Sequence, residues 1–273
     1  MRIINSKPGR LERIALGALP FVALIVTYAV ASHLRRLDNP ADKLLPSLEA
    51  MADAFGRAAF EADRRSGDYL LWGDTADSLL RLGAGLGVAV VVAVSLGVLI
   101  GFVPRARATF GPVVAAISLV PPITVLPILF IIAGLGEASK ILLIVVGTAP
   151  VMVRALAQAV ADIPDEQIVK AETLGASSWQ MVTRIVLPQV WPKLIAALRL
   201  ALIPAWIFLV SAEAIASTSG LGYRIFLVRR YLAMDLILPY VAWITLLAYG
   251  IDRLLLAASR RLFRWAHLGG ETL

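Results

Sequence analysis

The chain has 273 residues, of which 59% are hydrophobic and 16% are charged, and its mean hydropathy is +0.80. A single soluble core cannot use so much apolar surface, and this composition is typical of a protein that lies in lipid. The formal net charge of +7 does not require nucleic acid as a partner, because Lys and Arg accumulate at the cytoplasmic ends of membrane helices. The absence of cysteine excludes disulfide frameworks, thiolate nucleophiles and cysteine metal sites.

Six stretches of the sequence are apolar enough to cross a membrane. A helix needs about 20 apolar residues to span the hydrocarbon, because each residue adds about 1.5 Å. Three of the stretches contain no charged residue, and three carry charges only near their ends. They are residues 14–34, 82–104, 108–136, 141–160, 194–215 and 236–258. The sequence therefore predicts an all-α polytopic membrane protein with about six transmembrane helices.

The distribution of basic residues predicts the orientation of these spans. With the N-terminus inside, the inner segments carry a clear excess of Lys and Arg over acids, while the outer segments are nearly balanced. This agrees with the positive-inside rule, so we expect both termini in the cytoplasm. The segment after the fifth span disagrees, because it places Arg224, Arg229 and Arg230 on the outer side.

Three regions follow from this topology. Residues 1–78 comprise a cytoplasmic tail, the first span and an external amphipathic helix; residues 79–265 form the core transmembrane domain; residues 266–273 are a cytoplasmic tail. The external helix is predicted by apolar residues at helical spacing after Ser47, which is a suitable N-cap. Residues 61–77 are charged, and we expect them to form a loop.

The third span is rich in proline. It contains Pro112, Pro121, Pro122 and Pro127, and each proline removes a backbone donor and crowds the preceding turn, so this helix must be kinked or broken. Irregular backbone at membrane depth is tolerated only against protein or a water-filled cavity. Pro121 and Pro122 are therefore candidates for a substrate pathway, although a bent packing geometry without a pathway explains the prolines equally well.

The inner connection at residues 162–192 contains the start and end signals of two short helices. Pro164 and the two acids after it are typical of a helix start. Gly175 fits the position just past a helix end, and Ser177 can cap a second short helix that runs through Trp179. We expect Leu187 and Pro188 to end that helix.

This connection resembles the EAA loop of ABC importer permeases, in which EAA is followed by a glycine and then by I-x-L-P at fixed spacing. Two positions depart from the pattern, since Val169 replaces its glutamate and Lys170 its first alanine. The helix-glycine-helix frame is kept, and the resemblance implies a cytoplasmic coupling loop that docks on an ATPase. The residues of this predicted coupling loop are Ala171, Glu172, Gly175, Ala176, Ser177, Trp179, Ile185, Leu187 and Pro188.

Further motifs narrow the resemblance to the nitrate, taurine and aliphatic-sulfonate branch of type I importer permeases. They are the lead Ser78-Leu79-Leu80-Arg81 into the second span, and Glu213 followed by Gly220-Leu221-Gly222-Tyr223. The resemblance covers about residues 45–265. It implies a multi-pass permease of the bacterial inner membrane that imports a small polar solute, such as nitrate, taurine, a sulfonate or a small nitrogen compound.

The same resemblance implies the partners of the chain. They are a second copy of the permease in a homodimer, two cytoplasmic ATPase subunits, an extracytoplasmic solute-binding protein and membrane lipid, with no nucleic acid. No Walker A pattern occurs in the sequence. ATP and Mg are therefore expected in the partner ATPase, with no cofactor in this chain.

Glu213 is an acid within the apolar part of a predicted span. A charge at that depth is costly, so we expect Glu213 to face the bundle interior or a cavity. It is either a pathway or gate residue together with Ser211, with Arg224 as a possible ion-pair partner, or a packing residue held by a helix-to-helix hydrogen bond. Asp252 is expected to form an interfacial ion pair with its neighbour Arg253.

Functions outside ABC transport fit less well. A serine hydrolase at Ser217 would need a base, but His33 and His267, the two histidines of the sequence, fall at the extremities of the chain. We therefore predict no enzyme activity, no catalytic residues and no metal site in this chain. An ion-coupled secondary transporter or a channel remains the alternative, because it too would use broken helices and a buried acid.

Overall fold

The computed structural model describes residues 9–39, 42–63 and 67–267, and this part of the chain is helical without a strand. The first eight residues and most of the predicted tail at 266–273 lie outside the described residues. The helices are α1 (Arg10–Asp38), α2 (Leu48–Phe60), α3 (Leu70–Phe102), α4 (Pro104–Ile117), α5 (Pro122–Ala133), α6 (Glu137–Ala161), α7 (Asp165–Thr173), α8 (Ser178–Met181), a π-helical turn (Val182–Val186), α9 (Leu187–Ala216), α10 (Leu221–Val228), a 3₁₀ turn (Arg229–Tyr231), α11 (Met234–Leu262) and a 3₁₀ turn (Arg264–His267).

The predicted spans are confirmed, and the third of them is broken. Five helical segments are long and apolar enough to cross a membrane: α1, α3, α6, the continuous segment Ser178–Ala216, and α11. The pair α4 and α5, which are bent by 96° relative to each other, makes a sixth if the two are counted as one span. Pro121 and Pro122 lie at this break, where a proline cannot continue the helical hydrogen bonding.

The chain divides into two compact units. The first consists of residues 1–69 and 228–241. In it, the hydroxyls of Tyr28 and Ser32 on α1 donate to the carbonyl of Pro46 at 2.8 and 3.0 Å, which fixes the chain just before α2. Ser47 caps α2 as predicted, because its Oγ accepts the N–H of Ala50 at 3.0 Å.

The second unit consists of residues 70–227 and 242–273, and its core is formed by α3, α6 and α9. The backbones of α3 and α6 approach closely at glycines. A Cβ atom on Gly97 would lie 2.7 Å from the Cβ of Leu156, and one on Gly101 would lie 2.5 Å from the Cβ of Val160. Small residues allow such contact where lipid provides no hydrophobic drive for helix association. Both pairs have the same sequence offset, so α3 and α6 run parallel.

The structure corrects the predicted loop at residues 61–77. Helix α3 already begins at Leu70, so the last residues of that stretch form its first two turns. Leu71, Asp74 and Thr75 are buried there. The charge of Asp74 suggested solvent exposure, but the carboxylate is held by an arginine within the unit, as described below.

The structure also corrects the predicted helix end at Leu187 and Pro188. The chain passes from α8 through the π-helical turn into α9 without a break. The N–H of Leu187 bonds to the carbonyl of Val182, five residues back. This wider turn precedes Pro188, whose ring would crowd a regular helix four residues back. Pro188 therefore lies in the first turn of α9, where a missing N–H is tolerated.

Candidate functional site

Polar side chains meet at the end of the second unit where α3 and α6 begin. Helix α9 runs in the opposite direction and ends there, which brings Glu213 into the group. The loop from α9 to α10 closes over it. We call this group the Glu213 cluster, and its members are Asp74, Ser78, Arg81, Glu137, Lys140, Glu213 and Arg224.

Glu213 lies at the centre of the cluster and is 0% exposed. Its Oε1 accepts from the hydroxyl of Ser78 at 2.8 Å and from Nη1 of Arg81 at 2.7 Å. Its Oε2 accepts from the N–H of Gly222 at 2.8 Å and lies 3.0 Å from the same Ser78 hydroxyl. A carboxylate tolerates burial only when its charge is paired and its oxygens are hydrogen-bonded, and Glu213 meets both conditions.

Arg81 joins three elements with its planar guanidinium and is 5% exposed. Besides Glu213 on α9, it donates to Glu137 on α6 through Nε at 2.5 Å and Nη2 at 2.9 Å. It also donates to the carbonyl of Ser219 at 2.9 Å and to its hydroxyl at 3.1 Å. Lys140 completes this side with a 2.7 Å bond to Glu137. The planar guanidinium of Arg81 presents its N–H donors in a fork, which suits bidentate pairing with a carboxylate such as that of Glu137.

The loop from α9 to α10 is held against α3 by its backbone. The N–H of Gly220 donates to Asp74 at 3.0 Å, and the N–H of Leu221 donates to the hydroxyl of Ser78 at 2.9 Å. Gly220 has φ +114°, and a Cβ there would collide with the carboxylate of Glu213. Only glycine fits this position, because both its backbone conformation and its surroundings exclude a side chain.

The charged side chains of the Glu213 cluster are paired with one another. Three carboxylates, from Asp74, Glu137 and Glu213, bind three cations. The cations are Arg81, Lys140 and Arg224. A further carboxylate, that of Asp77, lies 4.0 Å from Arg81 at the edge of the cluster. The buried members keep their charges because each has an opposite partner, whereas the Glu137 side chain is 58% exposed.

Two predicted ion pairs are wrong. Arg224 does not pair with Glu213 but with Asp74, at 2.7 Å. Asp252 does not pair with Arg253; both its oxygens bind Arg199 on α9, at 2.7 and 3.0 Å. Arg253 instead lies over the ring of Tyr249, 5.5 Å from its centroid. In both cases the true partner comes from another helix rather than from the nearest charge in sequence.

The four residues predicted for a pathway or gate lie in two places. Glu213 is in the buried cluster, and Ser211 bonds to its own helix at the carbonyl of Ile207, 2.7 Å away. Pro121 and Pro122 lie at the break between α4 and α5. The structure therefore does not assemble the four into one site.

The predicted coupling loop has the expected helix-glycine-helix frame. Helix α7 follows Pro164, and Gly175 has φ +80°, a left-handed conformation that glycine adopts without strain. Ser177 and Gln180 form a capping box at the start of α8, with N–H bonds of 2.8 and 3.3 Å. A bond of 2.9 Å from Gln189 on α9 to Gln167 on α7 joins the two arms.

The loop buries one face and exposes another. Ala171 is buried, Ala176, Ile185 and Leu187 are half-buried, and Glu172, Ser177 and Pro188 are exposed. The two most exposed large apolar side chains of the loop are Leu174, which is 80% exposed, and Trp179, which is 74% exposed. The left-handed turn at Gly175 lies between Leu174 and Trp179 and joins α7 to α8.

A family model decides what this helical chain is. The model for "Binding-protein-dependent transport system inner membrane component" matches residues 89–264. The chain belongs to this family. It is the permease component of a binding-protein-dependent ABC importer and a multi-pass inner-membrane protein. Membership implies a solute-binding protein and an ATPase as partners.

Relatives of this permease come from several transport systems. It is 37% identical over 199 residues to the taurine transport system permease protein TauC of Escherichia coli, covering 72% of each chain. It is 29% identical to the putative aliphatic sulfonates transport permease protein SsuC of Bacillus subtilis, covering 67% of this chain and 64% of that one. It is 26% identical to the bicarbonate transport system permease protein CmpB of Synechococcus elongatus, covering 60% of this chain and 59% of that one.

Solved structures show the same fold. A chain of the MetNI methionine ABC transporter in an inward facing conformation matches with a TM-score of 0.60 and 23% identity, covering 71% of this permease and 94% of that chain. A chain of a bacterial ABC transporter involved in the import of alginate matches with a TM-score of 0.63 and 14% identity, covering 93% and 100%. The predicted architecture of an ABC importer permease is confirmed.

Most of the Glu213 cluster was missed in the sequence. Glu213 itself stands out as an acid in an apolar span, but its partners lie at span ends, where charges are ordinary. The sequence did contain one signal. Arg81, Glu137 and Lys140 all lie at ends of predicted spans, and the predicted topology places these ends on the same side of the membrane as Glu213. Three charges of mixed sign beside one buried acid indicate a closed ion-pair group.

Proposed function

We propose that this permease acts as a pair of identical copies, each of which docks one ATPase subunit on α7 and α8, and that it imports a small solute with an anionic group. ATP and Mg would be bound by the ATPase subunits. The observation that carries the docking proposal is the pair of exposed apolar side chains, Leu174 and Trp179, on the predicted coupling loop.

These two side chains have the properties of a docking surface for a soluble protein. Helix α7 carries Asp165, Glu166 and Lys170, so it cannot enter the hydrocarbon, and the loop must lie in water or against a protein. Exposed tryptophan on a rigid frame is typical of the residues that dominate binding energy in interfaces. The turn at Gly175 and the Ser177 cap supply that rigidity.

The loop is also connected so that it can transmit motion. The segment Ser178–Ala216 runs without interruption from the docking surface through α9. A partner that moves α8 as a rigid body therefore moves α9 with it. An ion-coupled carrier, the alternative from the sequence, has no use for such a docking element, and membership of the importer family does not favour it.

The relatives support a solute with an anionic group. Their names specify taurine, aliphatic sulfonates and bicarbonate. Taurine and the sulfonates share a sulfonate group, so a sulfonate-bearing solute is the first candidate for this permease. Its delivery by an extracytoplasmic binding protein follows from the family.

The docking proposal is tested by Trp179→Ala, with Trp265→Ala as the matched control. Both side chains are exposed, and only Trp179 lies on the coupling loop. If Trp179 anchors the ATPase, its truncation should weaken ATPase binding by roughly 30-fold or more, which corresponds to a loss of about 2 kcal/mol. Co-purification of the ATPase with tagged permease measures this, and ATP-dependent taurine uptake into proteoliposomes measures the consequence.

A second variant acts through the backbone. Gly175→Pro is incompatible with φ +80° and removes the N–H that donates to the backbone carbonyl of Glu172 at 2.9 Å. The inserted permease should then lose the ATPase. Full co-purification with both Trp179→Ala and Gly175→Pro would refute docking at this loop. Two differently tagged copies that fail to co-purify would refute the homodimer.

A further inference from the structure

Arg154 is a cation inside a membrane span, and the mechanism proposed above does not use it. It lies on α6, about two turns or 10 Å before the end of the helix at Ala161. Its side chain is exposed, and its Nη1 bonds to the hydroxyl of Ser118 at 3.2 Å. Ser118 follows α4 at the point where the third span breaks.

The pairing of Arg154 differs from that of Arg199 and Arg81. Arg199 is bound to Asp252, and Arg81 lies within 4.0 Å of three carboxylates. Within residues 9–39, 42–63 and 67–267, no carboxylate lies within 4.0 Å of Arg154. Exposure of an arginine to lipid at this depth is strongly unfavourable, so the guanidinium must face water or another protein surface.

The backbone beside Arg154 leads to the same conclusion. Leu119, Val120 and Pro121 connect α4 to α5 without helical structure, and all three are exposed. Non-helical backbone at membrane depth occurs only where it is buried in protein or lines a water-filled cavity. An exposed break and an exposed arginine, joined by one hydrogen bond, are the features that the wall of an aqueous passage would have.

The chemistry of this wall selects for anions. A guanidinium has five N–H donors in a planar fork, and Arg154 uses one of them on a neutral hydroxyl. The others match the oxygens of a sulfonate or a carboxylate. Because the contact is a single cation beside one hydroxyl, it attracts an anion without holding it tightly, which is what conduction requires.

We propose that Arg154 is a selectivity residue of the import pathway, and that it draws the sulfonate or carboxylate group of the solute past the break between α4 and α5. This inference rests on the proposed function, which supplies the pathway. It adds the residue and the chemical group that the pathway recognises.

The absence of cysteine makes a direct test possible, because a single introduced thiol is the only one in the chain. Ser118→Cys places it beside Arg154. The assembled transporter in membranes is treated with two methanethiosulfonates of similar size, the anionic 2-sulfonatoethyl reagent and the cationic 2-(trimethylammonio)ethyl reagent. The anionic reagent is itself an ethanesulfonate. The ratio of the two rates is compared with the ratio for a free thiol in solution, which cancels differences in intrinsic reactivity.

We expect both reagents to reach Ser118→Cys, with the ratio shifted toward the anion by roughly tenfold, because one unit charge a few ångströms away attracts one reagent and repels the other. Adding Arg154→Gln should remove the shift, and adding Arg154→Lys should keep it. Leu24→Cys lies in the middle of the apolar helix α1, and Leu24 is 71% exposed in this structure; because we expect it to face lipid, it should react slowly with both reagents.

Two results would overturn the inference: Ser118→Cys as slow as Leu24→Cys, or a rate ratio that does not depend on the charge at residue 154. If Ser118→Cys does not reach the membrane, Thr124→Cys reports from the exposed start of α5 at the same break. Labelling needs neither ATP nor docking. A permease that failed the Trp179→Ala test could still show the anion preference, so the two failures are distinguishable.

Discussion

Replacement of Glu213 by Gln separates the two roles considered for this residue. The substitution keeps the shape of a fully buried side chain and removes its charge. Both carboxylate oxygens accept hydrogen bonds, Oε1 from Ser78 and Arg81 and Oε2 from the N–H of Gly222. An amide has one acceptor oxygen, so its NH₂ group must face one of these donors, and at least one bond becomes a contact between two donors.

The size of the effect follows from what remains in the cluster. Removal of one partner of a buried ion pair costs about 3–5 kcal/mol when the other charge is left alone. A buried donor without an acceptor costs about 1–3 kcal/mol. Arg81 keeps Glu137 and Ser219 after the substitution, so we expect a loss near 2–3 kcal/mol. For a protein of this length that corresponds to a decrease in Tm of about 4–12 °C.

Thermal unfolding of the purified permease in detergent, followed by circular dichroism, measures this decrease. Glu49→Gln is the matched control, because Glu49 is exposed on α2 and its substitution should change Tm by about 1–2 °C at most. A Tm for Glu213→Gln within that same margin would refute the argument from burial. If solute affinity then fell while Tm stayed unchanged, Glu213 would be a pathway residue rather than a packing residue.

Two further substitutions test the packing of the spans. Arg199→Met should lower the free energy of unfolding by about 1–3 kcal/mol, because it leaves the half-buried Asp252 without its cation. In thermal unfolding, the double variant Arg199→Met with Asp252→Leu should recover most of this loss. If the losses of the two single variants instead add up in the double variant, the pairing is contradicted. Gly97→Leu should prevent α3 from packing on Leu156, so that no folded protein is seen in size-exclusion chromatography. Gly87→Leu is the control and should be tolerated, because a Cβ at Gly87 meets open space. Equal behaviour of the two variants would refute the close contact.

Local signals allowed several helix boundaries to be predicted. Ser47, Ser177 and Gly175 act within a few residues of themselves, through caps and a left-handed turn, so the sequence around them is sufficient. The break of the third span was equally local, because Pro121 and Pro122 cannot continue a helix in any surroundings.

The partners of the buried charges could not be predicted, because they depend on which faces of the spans meet. From residue 82 onwards α3 has no charged residue on any face, so its periodicity does not indicate which face packs on α6 and α9. Arg224 was the basic residue nearest to Glu213 in the loop that follows, but the antiparallel packing of α9 against α3 brings Arg81 to it instead. The helix end wrongly placed at Leu187 has another cause, since a π-helical turn has no distinct sequence signal.

The two ends of α9 constrain where this permease can bend. One end continues from the coupling loop through α8, and the other is joined to α3 and α6 by the Glu213 cluster. Because α3 and α6 are also packed at backbone contact along Gly97 and Gly101, we expect these three helices to move as one block when α8 is displaced. The break at Ser118–Pro121 has no continuous helical bonding to resist rotation, so we expect the hinge there. Motion at this hinge would move Ser118 relative to Arg154, and the same step that couples to the ATPase would then open or close the anion contact.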